Sequence, residues 1–376
     1  MRGQAARGGM LGIVGAAGRR FAVWHRHAVA GPFHRRRVGP EMASAILGPV
    51  PDQPSTVAHQ TRRGAVLRRL RRSHVVVLGD LLLDAVLEPE RPLARSTDVA
   101  GQVRLRQGGS AATTARWLAR LGARARLICA VGRDAIGRAL VESISRDGVN
   151  VRAVRVSGIP SGRIGVLVGP DGERSFVADR GAADRLEPDD LHADWFERTA
   201  LFHLPAYSLL GEPLGSAAVR ALEMARGGGA LVSLDLASTR PLLASGRRRA
   251  GLLIGRVAAD LLFATGLEAD ALLGTGRVED LLELAPIVVI KRGREGATVL
   301  ALDGTTQLRF EVATRPLAVN DTTGAGDAFD AGFIVSWLAS LGAGSAPVGA
   351  LQRATLAGHR AAARHLTGPR PELVLR

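Results

Sequence analysis

One glycine-rich segment flanked by two carboxylates constrains this chain more than any other feature. The segment is Asn320-Asp321-Thr322-Thr323-Gly324-Ala325-Gly326-Asp327-Ala328-Phe329, after which apolar residues recur at four-residue spacing as Phe329, Phe333 and Trp337. This spacing predicts a helix that buries one face. The turn would then lie at a helix N-terminus, where the unpaired N–H groups of residues 324–327 and the helix dipole favour a bound anion.

Asp327 is an unusual neighbour for an anion unless its carboxylate takes part in the chemistry. A carboxylate beside a phosphoryl group can remove the proton from an attacking hydroxyl. Gly324 and Gly326 would let a phosphate approach the backbone, and glycine also tolerates positive φ. A simple helix cap is the alternative interpretation. The order of acids, threonines and glycines favours phosphoryl transfer.

Residues 321–329 resemble the C-terminal signature of the ribokinase-like (phosphofructokinase-B-type) carbohydrate kinases, Asp-Thr-x-Gly-Ala-Gly-Asp-x-Phe. The resemblance implies that Asp327 is the catalytic base and that Gly324, Ala325 and Gly326 form the anion hole. It implies ATP and Mg²⁺ as cofactors. It also implies a monovalent cation, K⁺, with Asp321 and Thr323 as its neighbours.

A second glycine-rich segment, Gln107-Gly108-Gly109-Ser110, precedes a predicted helix over residues 109–121. It resembles the N-terminal signature of the same family, Gly-Gly-x-x-x-Asn-x-Ala, and implies substrate contacts from Gly108 and Gly109. Thr113 replaces the asparagine that contacts the sugar, and it offers one hydroxyl in place of an amide. By resemblance Asp84 would bind substrate hydroxyls, with a solvated turn residue as the alternative. Asp80 is the less favoured contact.

Two further segments resemble the nucleotide side of the family. Thr265 and Glu268 follow a predicted strand where the family has Asn-x-x-Glu, which implies that Glu268 assists Mg²⁺, often through water. The alternative for Glu268 is an acidic residue in the first turn of a helix, where it interacts with the helix dipole. Residues 290–297 resemble the segment that lines the nucleotide, and include Lys291, Gly293 and Gly296. Gly293 would leave room for the nucleotide, while Lys291 would offset triphosphate charge or lie at the surface.

The alternation of predicted strands and helices indicates an α/β fold, with a doubly wound, mostly parallel central sheet flanked by helices. The predicted strands of this sheet lie at 74–80, 125–131, 201–204, 231–236, 259–264 and 287–290. By resemblance, segments near 84–106 and 160–180 would form a small β-lid over the substrate. Arg180 follows the last lid strand and is either a contact for a substrate anion or a surface charge.

The formal net charge of +15 is concentrated in the first fifth of the chain. Residues 1–74 contain 14 arginines and two acidic residues, which leaves only +3 on the remainder. We therefore assign residues 1–72 to a basic extension, and residues 73–376 to a kinase domain for which we expect no nucleic-acid partner. Three interpretations of the extension remain open: a disordered segment or misassigned start, a targeting peptide, and a basic arm for nucleic acid or acidic partners.

Cys129 is the single cysteine, so an intrachain disulfide is excluded, and its apolar neighbours predict a buried thiol. This suits a reducing, cytoplasmic setting. No apolar run is long enough to span a membrane. The chain also contains no P-loop motif, paired cysteines or serine-hydrolase elbow.

We therefore expect an ATP-dependent sugar kinase. A nucleoside kinase of adenosine type is the alternative within the family, and Tyr207 and Trp195 are candidates to stack on a base. A catalytically weak, ligand-binding regulator is the alternative outside it. The lids of this family often pair between subunits, so a homodimer is compatible with the resemblance.

Overall fold

The computed structural model describes residues 73–169, 174–319, 321–342 and 347–375. The basic extension of residues 1–72 and Asn320 of the glycine-rich segment lie outside these ranges. The strands are β1 (His74–Leu78), β2 (Leu82–Pro89), β3 (Gly101–Gly108), β4 (Ala125–Gly132), β5 (Asn150–Val156), β6 (Arg163–Val168), β7 (Arg174–Asp179), β8 (Thr199–Pro205), β9 (Leu231–Asp235), β10 (Leu261–Thr265), β11 (Ile287–Lys291), β12 (Ala297–Asp303) and β13 (Thr306–Val312).

Nine of these strands form the central sheet, in the order β13-β12-β11-β10-β9-β8-β1-β4-β5. All neighbours from β5 to β11 pair in parallel, whereas β12 and β13 add an antiparallel hairpin at one edge. The α/β fold class with a mostly parallel sheet is thus confirmed. The edge hairpin was not predicted, and it begins at Ala297, where the segment 290–297 that we had assigned to the nucleotide site ends.

The helices are α1 (Ser110–Arg120), α2 (Ala135–Arg146), α3 (Leu214–Gly227), α4 (Thr239–Leu243), α5 (Arg247–Val257), α6 (Gly266–Leu273), α7 (Ala325–Gly342) and α8 (Pro347–Thr367). Alternate residues of the central strands point to opposite faces of the sheet. In β1, Val75 and Val77 therefore join a core with α1, α2, α7 and α8, while Val76 and Leu78 join a second core with α3, α5 and α6. Cys129 is buried in the first of these cores, and burial raises the pKa of its thiol to about 12.

The remaining four strands form a separate sheet in the order β3-β2-β6-β7. These are the segments in which we expected lid strands. Asp84 lies within β2 and not in a turn, and it pairs with Arg106 of β3. Because paired residues share a face, Asp84, Arg106 and Phe176 lie on one face, whereas Leu87, Val103 and Val177 lie on the other.

Aromatic packing fixes helix α7 against the central sheet. Phe263 of β10 contacts Phe333 edge to face at a centroid distance of 5.4 Å and Phe329 at 6.4 Å. Trp337 continues the same buried face, as predicted from the four-residue spacing. This packing sets the position of the helix N-terminus over the carboxyl ends of the strands. Within the described residues, no helix is long and apolar enough to cross a membrane.

Replacing Phe333 by alanine should lower the free energy of unfolding by about 3–5 kcal/mol, because it opens a cavity in a fully buried aromatic contact. Urea denaturation measures this loss. Leu267→Ala is the control, since Leu267 is 80% exposed and its truncation should change stability by less than about 0.5 kcal/mol. Equal losses in the two variants would contradict the assigned packing.

Candidate active site

The glycine-rich turn leads directly into helix α7, as the sequence predicted. Gly324 has φ of +80°, and a Cβ at this position would lie 2.8 Å from His365 Nε2 and 3.2 Å from the Thr113 methyl carbon. Glycine is therefore required by the protein's own packing as well as by any bound phosphate. The same contacts place Thr113 of α1 against the turn.

The N–H groups of the turn are arranged differently from the prediction, in which all four point at one place. The Ala325 N–H donates to the Thr322 carbonyl at 3.1 Å, because the positive φ of Gly324 closes a tight turn there. The N–H groups of Gly326 and Asp327 lie in the first turn of α7, where a helix supplies no acceptor. Donors for an anion are thus expected from Gly324, Gly326 and Asp327.

Asp327 is half-buried at the start of α7 and accepts a hydrogen bond from the Ser110 hydroxyl at 2.6 Å. Burial raises the pKa of Asp327 to about 7, with a further increase from Asp235 and Asp80, against opposing effects of Ser110 and Lys291. A carboxylate with this pKa is suited to proton transfer near neutral pH. The sequence analysis did not assign a role to Ser110, since its contact with Asp327 spans 217 residues.

A buried ionic cluster lies next to Asp327. Lys291 Nζ is 3.1 Å from Asp235 Oδ1 and 3.1 Å from Asp330 Oδ1. Burial opposes the charge on Lys291, but Asp235 and Asp330 outweigh it, so the pKa of Lys291 is raised. Burial raises the pKa of Asp330, which shares the ammonium group with Asp235. Lys291 is therefore an internal ion-pair partner rather than a surface residue.

The lysine is also adjacent to the turn. A Cβ on Gly326 would lie 3.3 Å from Lys291 Nζ, so its positive charge sits close to the N-terminus of α7. Asp235 and Asp330 were missed by the sequence analysis. Asp330 comes directly after the recognised signature and follows Asp327 by three residues, which places it on the adjoining turn of the helix. This position next to the signature is the sequence feature from which Asp330 could have been identified.

Asp84 faces the second glycine-rich segment. A Cβ on Gly108 would lie 2.2 Å from Asp84 Oδ1, and a Cβ on Gly109 would lie 2.5 Å from the Asp80 carbonyl oxygen. Burial raises the pKa of Asp84 to about 7, Asp80 adds to the increase, and Arg106 opposes it. Gly108, Gly109 and Ser110 thus form a continuous link between Asp84 and Asp327.

Asp80 and Arg180 have internal roles in this structure. Asp80 Oδ1 accepts from the Ala111 N–H at 3.1 Å, and Asp80 Oδ2 is 3.2 Å from Arg180 Nη1. Arg180 also binds Asp184 at 2.6 Å and lies 5.6 Å from the centre of the Tyr207 ring. The guanidinium therefore covers one face of Tyr207. Trp195 packs against the second core and His192, outside the lid sheet.

On the nucleotide side, Thr265 and Glu268 form a reciprocal cap for α6. The Thr265 N–H donates to Glu268 Oε2 at 2.7 Å, and the Glu268 N–H donates to Thr265 Oγ1 at 3.2 Å. Burial and Asp235 raise the pKa of Glu268. The helix-cap alternative is thus present in the structure, and one carboxylate oxygen of Glu268 remains outside the cap.

The two glycines near the nucleotide segment have different surroundings. A Cβ on Gly293 would meet no atom within 4 Å, which is compatible with space for a ligand. A Cβ on Gly296 would lie 2.2 Å from the Val312 carbonyl oxygen, so this glycine is required by the edge hairpin. Both have positive φ.

Asp321 is surrounded by arginines. It forms ion pairs with Arg174 at 2.8 Å, with Arg106 at 3.4 Å and with Arg370. Burial opposes ionisation of Asp321, but hydrogen bonds from Arg370 and from the Thr323 N–H outweigh it, so the pKa of Asp321 is lowered. None of these three arginines was predicted, since they lie far from Asp321 in sequence.

Comparison with known proteins shows the family to which the chain belongs. The model of the family described as pfkB family carbohydrate kinase matches residues 72–372. The chain belongs to this family. Fructokinase-1 from Zea mays is 32% identical over 273 residues, which cover 69% of this chain and 81% of the maize protein.

Solved structures show the same fold. Adenosine kinase from Sinorhizobium meliloti superposes with a TM-score of 0.67 at 25% identity, covering 81% of this chain and 97% of that one. Fructokinase from Vibrio cholerae O395, solved with fructose, ADP and calcium, superposes with a TM-score of 0.62 at 22% identity. The match covers 79% of this chain and 93% of the Vibrio enzyme. The protein is accordingly a carbohydrate kinase with a ribokinase-like fold.

Asp327→Asn should be more stable than the wild type at pH 8, and the difference should shrink towards pH 4. The folded protein retains a proton on Asp327 up to about pH 7, whereas the unfolded chain loses it near 3.8. Stability of the wild type therefore falls through this window as pH rises. Urea denaturation gives the difference in the free energy of unfolding between Asp327→Asn and the wild type. This difference should be at least about 1 kcal/mol larger at pH 8 than at pH 5.

The matched control is Asp303→Asn in the exposed edge hairpin, which should give the same small effect at both values of pH. A stability difference for Asp327→Asn that does not depend on pH would contradict the raised pKa.

Proposed function

We propose that the protein transfers the γ-phosphoryl group of ATP to a hydroxyl of a sugar, with Asp327 as the general base. The observation that carries this proposal is the half-buried Asp327 beside the first N–H groups of α7, hydrogen-bonded to Ser110 and with its pKa raised to about 7. A base with this pKa is deprotonated in a large fraction of molecules near neutral pH. It can then accept the proton as the substrate oxygen attacks phosphorus.

The acceptor would lie between Asp84 and Asp327. The two carboxylates flank the segment Gly108–Ser110, and the glycines let Asp84 and the Asp80 carbonyl approach the backbone. Asp84 would accept from substrate hydroxyls, and Thr113, next to Gly324, would contribute one hydroxyl of its own. The lid sheet would exclude water, which otherwise competes as phosphoryl acceptor.

The anion hole would use the N–H groups of Gly324, Gly326 and Asp327 together with the dipole of α7. Lys291 would act from beneath this turn, where its ammonium adds positive potential without leaving Asp235 and Asp330. Gly293 would leave space for the nucleotide. Preformed donors of this kind stabilise the charge that develops on the transferred group.

Magnesium, when bound with ATP, neutralises phosphate charge and orients the γ-phosphoryl group. Glu268 would interact with that ion through a water molecule and not directly. One of its oxygens is held by the Thr265 N–H, and the other is available to orient a metal-bound water. Asp235 lies close enough to raise the pKa of Glu268 and would add negative charge to the same region.

Fructose is the first acceptor to test, because the curated relatives include fructokinase-1 from Zea mays and a probable fructokinase from Arabidopsis thaliana. A nucleoside is the second, and a specific observation favours it. Phe176 lies on the same lid face as Asp84 and is 58% exposed, so its ring is available to stack on a base. Tyr207 is less suited, since Arg180 covers one of its faces.

Asp327→Asn should reduce kcat by about 10²–10⁴-fold while ATP binding is retained, because the amide cannot accept the proton. Magnesium-dependent ADP release would be measured with fructose, other hexoses, pentoses, keto-deoxy sugar acids and nucleosides. Asp303→Asn is the control and should stay within about twofold of wild type. An Asp327→Asn enzyme with undiminished kcat would contradict the proposed base. Turnover of a nucleoside but of no sugar would show that the acceptor is a nucleoside and would contradict the proposed sugar substrate.

The lid also suggests a homodimer. Val177 is 77% exposed and Val103 is 66% exposed, and both lie on the lid face opposite Asp84 together with Leu87. An apolar strand surface of this kind favours contact with a second copy. We propose that two lids pair through this face, which would bury its exposed apolar side chains.

Val177→Glu combined with Val103→Glu should convert the protein to a monomer, because paired lids would bury like charges against each other. Light scattering coupled to size-exclusion chromatography would measure the mass. Val219→Glu, on the exposed side of α3, is the control and should leave the mass unchanged. A wild-type protein that is already monomeric at micromolar concentration would contradict the proposal.

A further inference from the structure

The residues around Asp321 do not fit the monovalent cation that the family resemblance implies. A cation such as K⁺ requires oxygen atoms with free lone pairs, and Asp321 and Thr323 would supply them. Between them these residues have five such oxygens: both carboxylate oxygens and the carbonyl of Asp321, and the hydroxyl and carbonyl of Thr323. In this structure, protein N–H donors reach all five.

Arginines account for four of these atoms. Arg174 donates to Asp321 Oδ1 at 2.8 Å and to Thr323 Oγ1 at 2.8 Å. Arg370 contacts Asp321 Oδ2 and, through its second nitrogen, donates to the Asp321 carbonyl oxygen at 2.9 Å. Arg106 also approaches Asp321 Oδ2, at 3.4 Å. The guanidinium of Arg370 thus spans the carboxylate and the backbone carbonyl of one residue.

His365 accounts for the fifth atom, and its tautomer is set by a neighbour. Trp117 Nε1 has only a proton to donate, and it donates to His365 Nδ1 at 2.9 Å. The ring proton must therefore be on Nε2, which donates to the Thr323 carbonyl at 2.7 Å. This contact also explains why Gly324, which follows Thr323, has no room for a side chain.

The electrostatics point in the same direction as the hydrogen bonds. Three guanidinium groups face one ionised carboxylate, so the immediate surroundings of Asp321 carry an excess of positive charge. Their side chains are only 12–20% exposed, so bulk water screens that charge weakly. A further cation would be repelled by these guanidinium groups, and every oxygen that it approached already accepts a hydrogen bond from the protein.

We infer that the arginines, Arg370 foremost, take the place of a bound monovalent cation, so that phosphoryl transfer by this enzyme does not depend on K⁺. Their charge is permanent, since guanidinium groups stay protonated in proteins. They hold the backbone three residues before the anion hole. Because Arg106 and Arg174 belong to the lid and Arg370 follows α8, they also join the lid and the C-terminal segment to the catalytic turn.

The inference rests on the proposed kinase function, and its first test uses the wild-type enzyme alone. ADP release with the acceptor found in the substrate panel would be measured in KCl, NaCl and choline chloride at equal ionic strength. We expect rates within about twofold of one another. A rate at least about tenfold higher in KCl than in choline chloride would overturn the inference while leaving the kinase function intact.

The second test uses Arg370→Met in the same three salts. Loss of the bidentate contact should lower kcat at least about tenfold in choline chloride. Arg104→Met is the matched control, because Arg104 lies in the same groove but pairs with Glu88 at 3.0 Å, and it should keep the wild-type rate. An Arg370→Met enzyme with the wild-type rate in choline chloride would contradict the role given to Arg370. If Arg370→Met fails to fold, Arg370→Lys replaces it, since lysine keeps the charge but lacks the bidentate geometry.

Thermal unfolding gives a readout that needs no turnover. The Tm of the wild type should be the same in KCl and choline chloride, since a ligand that does not bind cannot stabilise the fold. A rise in Tm with K⁺ concentration, absent with choline, would show a cation site and overturn the inference. If no acceptor is phosphorylated in any of the salts, the proposed kinase function is contradicted. The thermal measurement still tests the inference about the cation, because it does not depend on turnover.

Discussion

The ion pairs of Lys291 are the interaction on which the rest of the active site depends. Its ammonium contacts Asp235 at the end of β9 and Asp330 in α7, so one buried charge joins the carboxyl edge of the sheet to the catalytic helix. Removing one member of such a buried set is strongly destabilising, about 3–5 kcal/mol, because a charge is left without a partner. Lys291 also lies beneath Gly326 and lowers the pKa of Asp327 against the effect of burial. The cluster therefore influences both the position and the charge of the glycine-rich turn.

The turn is confined from two further directions. Aromatic packing of Phe263 against Phe329 and Phe333 seats α7 from the sheet side. Arginines from the lid and from the segment after α8 hold Asp321 from the opposite side. The proposed anion hole would thus be built from backbone atoms whose positions are fixed by apolar contact on one side and by charge on the other. Donors held in this way need little reorganisation when charge develops on a transferred phosphoryl group.

Several residues have a structural role besides the functional role that was predicted for them. The choice of amino acid at each of these positions therefore has two physical explanations. Gly324 was expected to make room for phosphate, yet His365 and Thr113 already leave no space for a side chain. Gly296 was assigned to the nucleotide, but the edge hairpin requires it. Glu268 was assigned to the magnesium region, yet it also caps α6, and only one of its carboxylate oxygens takes part in that cap. Local structural demands and chemical demands therefore coincide at the same positions, which is why the motif is compact in sequence.

The sequence by itself determined the fold class, most of the parallel strands, the helix after Gly324, the family and the residues of the two glycine-rich segments. These features arise from local periodicity and short-range backbone geometry, which adjacent residues encode directly. Only the tertiary structure decided the partners of the key charges. Ser110 meets Asp327, Lys291 meets Asp235 and Asp330, and arginines from three separate segments meet Asp321. Such contacts join residues that are 39 to 217 positions apart, and no local pattern specifies which distant charge will be nearest once the chain has folded.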